Sequence, residues 1–395
     1  MLAPVGTNRL CKWSGPQSSG SAWGRGVMAE TVRAAVVTEF AKPLSVQDVP
    51  LPDMEPGSVL GRVDAATLCG TDVHIWGGHS FVGPEKLPYI PGHETAVTVV
   101  DVAGNPRDVF NNPVQPGQRI IGNYPFCGHC YHCSVAMQPS LCLEGARYGR
   151  ERVDQYPYLL GGTADYHYYP PGADFIPVPD GVPAPLAASA ACALRTAMHA
   201  AERLGPIKSH ETVLVQGAGP VGLYCLAVAL AKGADQVFTF GAPESRLEVA
   251  RSWGAAGTMD IEQTSMADRK AWIAERTRGV GVDVVIQAAT AHAIPEALDL
   301  VRRGGRVISI GGGGGTLEVP MFAMTTKYLT ITSVLQAEAR HFLQAVQFLS
   351  TQSKHFPFES MITGTYSLEG TGDALQAMSE FREVKAVVLP QPSAV

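Results

Sequence analysis

The chain of 395 residues is longer than one compact hydrophobic core usually supports, and it suits two domains. Hydrophobic residues make up 46% and charged residues 17%, which is ordinary for a soluble globular protein. The formal net charge of -6 makes phosphate backbones and anionic lipid poor partners, so we expect neither nucleic acid nor a membrane surface. The longest apolar helix that the sequence predicts, Val221 to Ala231, is too short to cross a bilayer.

The first 27 residues differ in composition from the rest of the chain. Residues 14–26 are rich in serine and glycine without hydrophobic periodicity, and no acidic residue precedes Glu30. This stretch also lacks the apolar segment that a secretory signal requires. An upstream start, a transit peptide and a disordered tail remain alternatives, and we expect residues 1–27 to form a disordered, non-catalytic extension.

Residues 28–186 have the composition of an irregular, mainly-β domain. Glycine and proline are frequent, and short strand-like runs occur at 33–37, 94–103 and 118–123. The pattern changes near Pro185, where an alanine-rich helical stretch extends from Ala187 to Leu204. We therefore place a domain boundary between residues 186 and 187.

From residue 212 onward, apolar strands alternate with helices. The predicted strands are 212–216, 236–240, 282–287 and 306–310, and the predicted helices are 221–233, 245–254 and 294–304. This alternation indicates an α/β domain with a doubly wound parallel sheet that is buried on both faces. We assign residues 187–333 to this domain, and the pattern becomes mixed again in residues 334–395.

A glycine-rich turn joins the first strand of the α/β domain to its first helix. Gly217, Gly219 and Gly222 match the G-x-G-x-x-G spacing, with Pro220 and Val221 between the second and third glycines. The first glycine permits the tight turn, the second lets the backbone approach a pyrophosphate, and the third packs the helix on the strand. The helix N-terminus then faces the negative charge. Because the whole strand–turn–helix context is present, we predict a bound dinucleotide cofactor.

The choice between NAD and NADP depends on the end of the second strand. An acidic side chain is expected there to bind the ribose hydroxyls, but Gly241 occupies that position. We assign Arg246, at the start of the next helix, to the cofactor site, with a surface position as the alternative. Ile310, at the end of the last predicted strand, is assigned to the same site. We expect weak discrimination, with NAD favoured because binding it desolvates less charge.

Four of the eight cysteines lie within sixteen residues, namely Cys127, Cys130, Cys133 and Cys142. Gaps of two residues let a looped backbone present thiolates to one tetrahedral zinc ion, and four thiolates make a closed, structural site. In a long acidic chain without a secretory signal, such crowding favours metal binding over disulfides, so we expect a cytoplasmic protein. His129 and His132, between these cysteines, are expected to face solvent.

A second candidate metal set is dispersed along the chain and consists of Cys69, His93 and Cys192. Taken singly, these residues could be a core cysteine, a hydrogen-bonded histidine and a helix cysteine. Together they supply two thiolates and one imidazole. Three protein ligands leave a fourth position for water or substrate, which is typical of catalytic zinc.

These motifs resemble, in their order, those of the zinc-containing medium-chain alcohol dehydrogenases, including polyol and threonine dehydrogenase relatives. The resemblance extends from about Val32 to Pro390 and is carried by residues 69–72 (CGTD), residues 92–94 (GHE), the four-cysteine cluster, Cys192 and the glycine turn. It implies a GroES-like catalytic domain and a Rossmann domain, with residues 334–395 returning to the first. It also implies two zinc ions per chain and a homodimer or homotetramer.

The resemblance implies a mechanism in which zinc on the dispersed set polarises the substrate oxygen while a hydride passes between the alcohol carbon and nicotinamide. Thr71 would take the alcohol proton, and His74 would pass it to solvent. Asp72 and Glu94 would orient the ligands or modulate the metal, and Glu94 is counted with the catalytic residues.

The substrate is expected to be a small alcohol or ketone. We expect Trp76, Phe81 and Tyr124 to line its pocket, where aromatic walls suit an apolar secondary or cyclic alcohol; core positions are the alternative. A polyol or threonine-type dehydrogenase remains a second interpretation. A zinc-independent quinone or enoyl reductase on the same fold is a third.

Overall fold

A computed structural model describes residues 31–79, 82–312 and 317–390 of the chain. The predicted extension 1–27 and the predicted pocket residue Phe81 lie outside the described residues. No helix in the described ranges is long and apolar enough to span a membrane.

The N-terminal part of the described chain is built mainly from strands. Its strands are β1 (Thr31–Val36), β2 (Ser45–Pro50), β3 (Val59–Thr67), β4 (Glu94–Val102), β5 (Arg119–Gly122), β6 (Tyr166–Tyr169) and β7 (Phe175–Pro177). One short helix, α1 (Gly70–Trp76), follows β3 directly. Strands β3 and β4 bury most of their side chains, and their valines and alanines form a core with aromatic residues of the loops and β6.

A helical segment connects this part to the next one. It consists of α2 (Ala184–Ser189), a π-helical turn over Ala190–Leu194, and α3 (Arg195–Leu204). The predicted start at Ala187 was three residues late, because the helix begins directly after Pro183. The π turn contains Cys192, and such turns are frequent at functional sites.

The middle of the chain alternates strands and helices as predicted. Its strands are β8 (Thr212–Gln216), β9 (Gln236–Gly241), β10 (Gly257–Asp260), β11 (Val282–Gln287), β12 (Val301–Ser309) and β13 (Thr330–Ser333). Its helices are α4 (Pro220–Ala231), α5 (Glu244–Ser252), α6 (Met266–Arg276), α7 (Ile294–Leu300) and α8 (Met321–Lys327). All six strands are parallel, in the order β10-β9-β8-β11-β12-β13, so the predicted doubly wound Rossmann-type sheet is confirmed.

The predicted helix 294–304 was wrong in its second half. Helix α7 ends at Leu300, and β12 begins at Val301, which pairs with Val282 of β11. Gly304 has a φ of +67°, which favours glycine and does not continue a helix. Pairing with the neighbouring strand therefore outweighs the helical propensity of the two arginines before Gly304.

The C-terminal segment contains α9 (Ala339–Gln352), β14 (Ile362–Ser367), α10 (Thr371–Ser379) and β15 (Lys385–Leu389). Strand β15 pairs antiparallel with β3, which gives a seven-stranded sheet with the path β14-β15-β3-β4-β5-β7 and β6 paired to β3. The last strand therefore lies beside the strand that leads into α1.

Candidate active site

A cleft of about 1660 Å³ runs between the mainly-β part and the carboxyl ends of the parallel strands. The dispersed candidate ligands, the glycine turn and part of the four-cysteine loop all line it. Ligands of open α/β sheets bind at this edge, because the loops after the strands converge there.

The entrance to helix α1 positions the first candidate ligand, Cys69. Cys69 is the N-cap residue, and its Sγ accepts a hydrogen bond from the backbone N–H of Thr71 at 3.3 Å. In return, the Asp72 carboxylate accepts one from the backbone N–H of Cys69 at 3.0 Å. This reciprocal cap fixes both side chains at the helix terminus.

The second candidate ligand, His93, is oriented by the same aspartate. Nδ1 of His93 lies 2.9 Å from Asp72 Oδ1, and Nε2 lies 3.5 Å from Cys69 Sγ. Burial opposes ionisation of Asp72, but the charge of the adjacent His93 ring outweighs it and lowers the pKa of the carboxyl. An ionised carboxylate behind the ring holds the Nδ1–H tautomer and leaves Nε2 for a metal.

The third candidate ligand comes from the other side of the cleft. The π turn places Cys192 so that Sγ atoms of Cys69 and Cys192, the His93 imidazole and a Glu94 carboxylate oxygen all lie within 4.8 Å of one another. A hydrogen bond with the Cys69 thiol lowers the pKa of Cys192 well below its ordinary value. Two thiols and one imidazole around one point are the donor set that tetrahedral zinc prefers, so these residues fit the metal.

Glu94 lies in this cluster at the start of β4, fully buried. It forms an ion pair with the buried Lys385 of β15 and accepts a hydrogen bond from Thr67. Burial raises the pKa of Glu94, and the Lys385 charge acts in the opposite direction. A buried carboxylate at this place is therefore held by a cation that the sequence analysis did not single out.

The four clustered cysteines converge on a second point. The sulfur atoms of Cys127, Cys130, Cys133 and Cys142 all lie within 4.8 Å of one another, and none of these cysteines is in a disulfide. Backbone N–H groups of Cys127 and Cys130 donate to sulfurs of this cluster at 3.5 and 3.3 Å. Four thiols and inward backbone donors fit a closed zinc site.

The two histidines of this loop differ. The side chain of His129 is 77% exposed and lies 3.4 Å from Glu144. The expectation that His132 faces solvent was wrong, because it is half-buried, lines the cleft, and has a buried Nδ1 without a hydrogen-bond partner. His132 lies in the π-helical turn Tyr131–Val135, and periodicity does not reveal such a turn.

The glycine turn has the close approaches that its spacing predicts. Gly217 has a φ of +109°, and a Cβ on it would lie 2.9 Å from the backbone of Ala288. A Cβ on Gly222 would lie 1.8 Å from the carbonyl oxygen of Gly217. Pro220 begins α4, and Val221 follows beside the cleft. The N-terminus of a twelve-residue helix thus opens onto the cleft, where an anion is favoured.

The end of β9 lies at the same side of the cleft. A Cβ on Gly241 would lie 2.7 Å from the backbone nitrogen of Ala218, so this position has no room for a side chain in the described geometry. Ile310 also lines the cleft. The surface alternative for Arg246 was wrong: it is 7% exposed, lines the cleft, and its Nη2 donates to the carbonyl of Glu383 at 2.5 Å.

Helix α1 presents the two predicted relay residues to the cleft. Thr71 and His74 are one turn apart, and both are exposed and line it. Tyr124 lines the cleft as expected. Trp76 takes the core alternative: it is not among the residues that line the cleft, its indole nitrogen donates to the Lys42 carbonyl at 2.9 Å, and it packs against a core cluster.

Sequence reasoning missed two cationic side chains at this site, Lys385 and Arg195. Lys385 opens an otherwise apolar strand, KAVVL, and a lone charge in such a run is a signal that a buried partner exists. Arg195 lies three residues after Cys192, so it follows the ligand by almost one helical turn.

Two family models match the chain. A model described as an alcohol dehydrogenase GroES-like domain matches residues 55–180, and one described as a zinc-binding dehydrogenase matches residues 220–351. Among relatives, 5-exo-hydroxycamphor dehydrogenase of Pseudomonas putida is 31% identical over 363 residues, which cover 90% of this chain and 98% of the relative. An alcohol dehydrogenase of Geobacillus stearothermophilus is 32% identical over 319 residues, covering 80% and 88%.

A solved alcohol dehydrogenase from Thermotoga maritima superposes with a TM-score of 0.85 at 31% identity, covering 91% of this chain and all of that one. The chain therefore belongs to the zinc-type medium-chain alcohol dehydrogenases, with a GroES-like domain and a Rossmann domain. Its relatives act on alcohols as oxidoreductases, and the family carries zinc and a nicotinamide cofactor.

Proposed function

We propose that this protein is a zinc-dependent dehydrogenase that transfers a hydride between a secondary or cyclic alcohol and a nicotinamide cofactor. The observation that carries the proposal is that Cys69, His93 and Cys192 converge in the same cleft as the glycine turn. A metal-ligand set and a dinucleotide turn in one cleft provide the two centres that hydride transfer from an alcohol requires. The hydroxycamphor dehydrogenase relative, by its name, acts on such an alcohol.

We propose that the dispersed set would hold one zinc ion and the four-cysteine cluster a second. At the first site, a bound zinc supplies Lewis acidity toward the substrate oxygen. The protein's own contribution is orientation: Asp72 holds the His93 ring, and the cap of α1 holds Cys69. Glu94, paired with Lys385, places a carboxylate beside the same ligands without leaving an isolated buried charge.

Proton transfer is assigned to helix α1. The Thr71 hydroxyl, two residues after Cys69 and on the cleft, accepts the alcohol proton. His74 lies one turn further along the helix and is exposed, so it can exchange the proton with solvent.

For the cofactor, we propose binding at the N-terminus of α4, with NAD modestly favoured over NADP. Gly217, Gly219 and Gly222 allow the approach of the pyrophosphate, and the buried Arg246 lines the same part of the cleft. Gly241 provides neither a carboxylate for ribose nor a repulsion of 2′-phosphate. Relatives have been solved with one cofactor or the other. A Sinorhizobium meliloti dehydrogenase at 26% identity is bound to NADP, and an Escherichia coli alcohol dehydrogenase at 25% identity is bound to NADH, which accords with weak discrimination.

For the assembly, we propose a homodimer or homotetramer formed along the edge strand β13. In the described sheet this strand pairs with β12 on one side only. Large apolar side chains around it are exposed, namely Met321, Phe322, Tyr328 and Leu335. A second copy paired along this edge would cover unpaired backbone groups and these side chains together.

The polyol or threonine-type alternative shares the whole mechanism and differs in the substrate alone. The zinc-independent reductase alternative does not need Cys69, His93 and Cys192 to converge, so their arrangement opposes it.

The proposal is tested by screening secondary, cyclic and polyhydroxy alcohols with NAD and with NADP, following the absorbance of the reduced cofactor. Metal analysis should find two zinc ions per chain. Cys192→Ala should lose one zinc ion and turnover while still binding reduced cofactor, measured by its fluorescence. A fully active Cys192→Ala protein that retains both ions would contradict the proposed zinc site.

A further inference from the structure

The substrate part of the cleft, around Thr71, His74 and Tyr124, holds more cationic than anionic side chains. Its cationic residues are Lys86, Arg147, Arg150 and Arg195, and its carboxylates are Glu85 and Glu151. Lys86 and Glu151 neutralise each other in an ion pair at 2.6 Å. Arg147 and Arg195 are the buried cations of this part of the cleft, and an apolar alcohol would not require them.

Arg195 is the most informative of these arginines. It is 3% exposed, and its Nε donates to the carbonyl of Ala191 at 2.9 Å. Its guanidinium carbon lies 5.9 Å from the ring centroid of Tyr124 and 5.2 Å from that of Phe342. Its Nη1 is buried without a hydrogen-bond partner, and within the described ranges it forms no ion pair with a carboxylate.

Arg147 approaches the same tyrosine from a different part of the chain. Its guanidinium carbon lies 5.4 Å from the Tyr124 ring centroid, and the residue is 8% exposed. It donates to the carbonyls of Gly145 and Ala146 and to that of Cys142. Among the residues that the structure describes, no carboxylate pairs with it. Tyr124 therefore lies beside two buried guanidinium groups that form no ion pair with a carboxylate of the described residues.

A buried cation without a counter-ion costs free energy, because carbonyl groups replace only part of its hydration. The arrangement becomes favourable when a ligand brings negative charge into the cleft. We propose that the alcohol or ketone substrate carries a carboxylate or phosphate group, which is held beside Tyr124 by the charges of Arg195 and Arg147. This inference rests on the proposed function and narrows its substrate class from secondary or cyclic alcohols to those that carry an anionic group.

The test compares two anionic probes with a neutral analogue of the same ring. 4-Hydroxycyclohexanecarboxylate and 4-hydroxycyclohexyl phosphate are assayed as substrates against 4-hydroxycyclohexanecarboxamide, on the full zinc-loaded protein. We expect kcat/KM to be at least roughly tenfold higher for one of the anions, with the advantage reduced by salt. The carboxylate and phosphate arms separate the two sources of charge. Equal kcat/KM for anion and amide would overturn the inference.

A binding arm uses cyclohexanecarboxylate, cyclohexyl phosphate and cyclohexanecarboxamide, which cannot be oxidised, with calorimetry as the readout. Because a carboxylate also coordinates metal, the decisive comparison is between variants. Arg195→Met should lose the preference for the anion by roughly tenfold, and Arg195→Lys should keep part of it. Arg203→Met, an exposed arginine on the same helix α3, should leave the preference unchanged. An unchanged preference in Arg195→Met would also overturn the inference.

If Arg195→Met does not fold, Arg147→Met replaces it with the same expected loss.

Two further results separate this inference from the proposed function. If no alcohol is oxidised but anion binding depends on these arginines, the proposed function fails and the anion site stands. If neutral alcohols are oxidised as efficiently as anionic ones, the function stands and the anionic substrate does not.

Discussion

Asp72 Oδ1 lies 2.9 Å from Nδ1 of His93, while the other oxygen of Asp72 accepts the backbone N–H of Cys69. One carboxylate therefore orients two of the three proposed ligands of the catalytic zinc. The relationship comes from the turn between β3 and α1, because the helix cap places Asp72 under the loop that carries His93. Loss of the Asp72 side chain should therefore weaken zinc binding more than it destabilises the fold.

For Asp72→Asn, we expect zinc affinity at the catalytic site to fall by roughly 10- to 100-fold, since partners behind metal-bound histidines contribute about that much. Competition with a chelator, followed by metal analysis, measures the change. Asp101→Asn, an exposed aspartate on β4, serves as the control and should retain both ions. Retention of both ions by Asp72→Asn at the same chelator concentration would show that Asp72 does not support the metal.

For Cys130→Ser, we expect a lower melting temperature and one zinc ion per chain instead of two, because a closed thiolate site contributes folding free energy. The remaining folded protein should keep its turnover number. Cys225→Ala, at a buried cysteine of α4 outside both clusters, should keep both ions. If Cys130→Ser kept its zinc and its melting temperature but lost turnover, the two zinc sites would have been assigned the wrong way round.

The sequence was sufficient for the fold class and for the two cysteine sets, because strong spacing signals carry both. Periodicity located the strands at 212–216 and 282–287 to the residue. It failed at 301–304, where a valine, two arginines and a glycine follow a helix and only the neighbouring strand β11 decides the outcome. Local propensity is a weak guide where tertiary pairing competes with it.

The finer features of the site depend on geometry that spacing cannot supply. Gly241 occupies the position where an acidic side chain is expected, and a Cβ there would lie 2.7 Å from Ala218. Gly241→Asp therefore requires the glycine turn to shift, which changes cofactor binding as a whole. Likewise, Trp76 belongs to the aromatic residues near the predicted ligands but packs in the core and does not line the cleft.

For the assembly, Ile331→Lys tests the proposed β13 edge. A lysine there would place charges near each other across a two-fold interface and oppose pairing of the edges. We expect light scattering to report the wild type as a dimer or tetramer and this variant as a smaller species. Val280→Lys, at an apolar position that is more exposed than Ile331 and lies outside β13, should not change the molar mass. A wild-type monomer would contradict the proposed assembly.

The buried His167 should account for part of the loss of stability that the fold shows in acid. The ring is fully buried between Tyr148 and Tyr169, and burial lowers its pKa to about 4. The unfolded chain binds a proton near pH 6.5 and the folded protein only near pH 4, so this contribution to stability is lost as the pH falls through that window. The loss is about 2 kcal/mol between about pH 7 and about pH 5.

The His167→Phe variant should remove that part of the pH dependence, because phenylalanine fills the same aromatic site without titrating. Urea unfolding gives the free energy of unfolding of both proteins at the two pH values, and the change between the pH values is then compared for the two proteins. Proton uptake by the cysteine ligands occurs in both proteins and cancels. Identical slopes for the two proteins would mean that His167 does not titrate in this window.

The buried pair of Glu94 and Lys385 gives the last prediction. Both side chains are fully buried, so Lys385→Met leaves a carboxylate without its cation in a low-dielectric site. Removing one partner of such a pair costs roughly 3–5 kcal/mol, whereas removing both costs less. We therefore expect Lys385→Met to be more destabilised than the double variant Lys385→Met with Glu94→Gln.

The pH dependence identifies the cause of that destabilisation. Without Lys385, the pKa of Glu94 rises further above its unfolded value, because burial already raises it and the opposing charge is gone. When a carboxyl has a higher pKa in the folded state than in the unfolded state, the free energy of unfolding falls as the pH rises. The folded protein must then either keep the proton or bury the charge. Urea unfolding should show the deficit of Lys385→Met growing as the pH rises above about 4.3, the pKa of an unfolded glutamate, and the double variant should not show it. A deficit that is independent of pH and equal in the double variant would mean that Lys385 contributes through packing of its side chain and not through its charge.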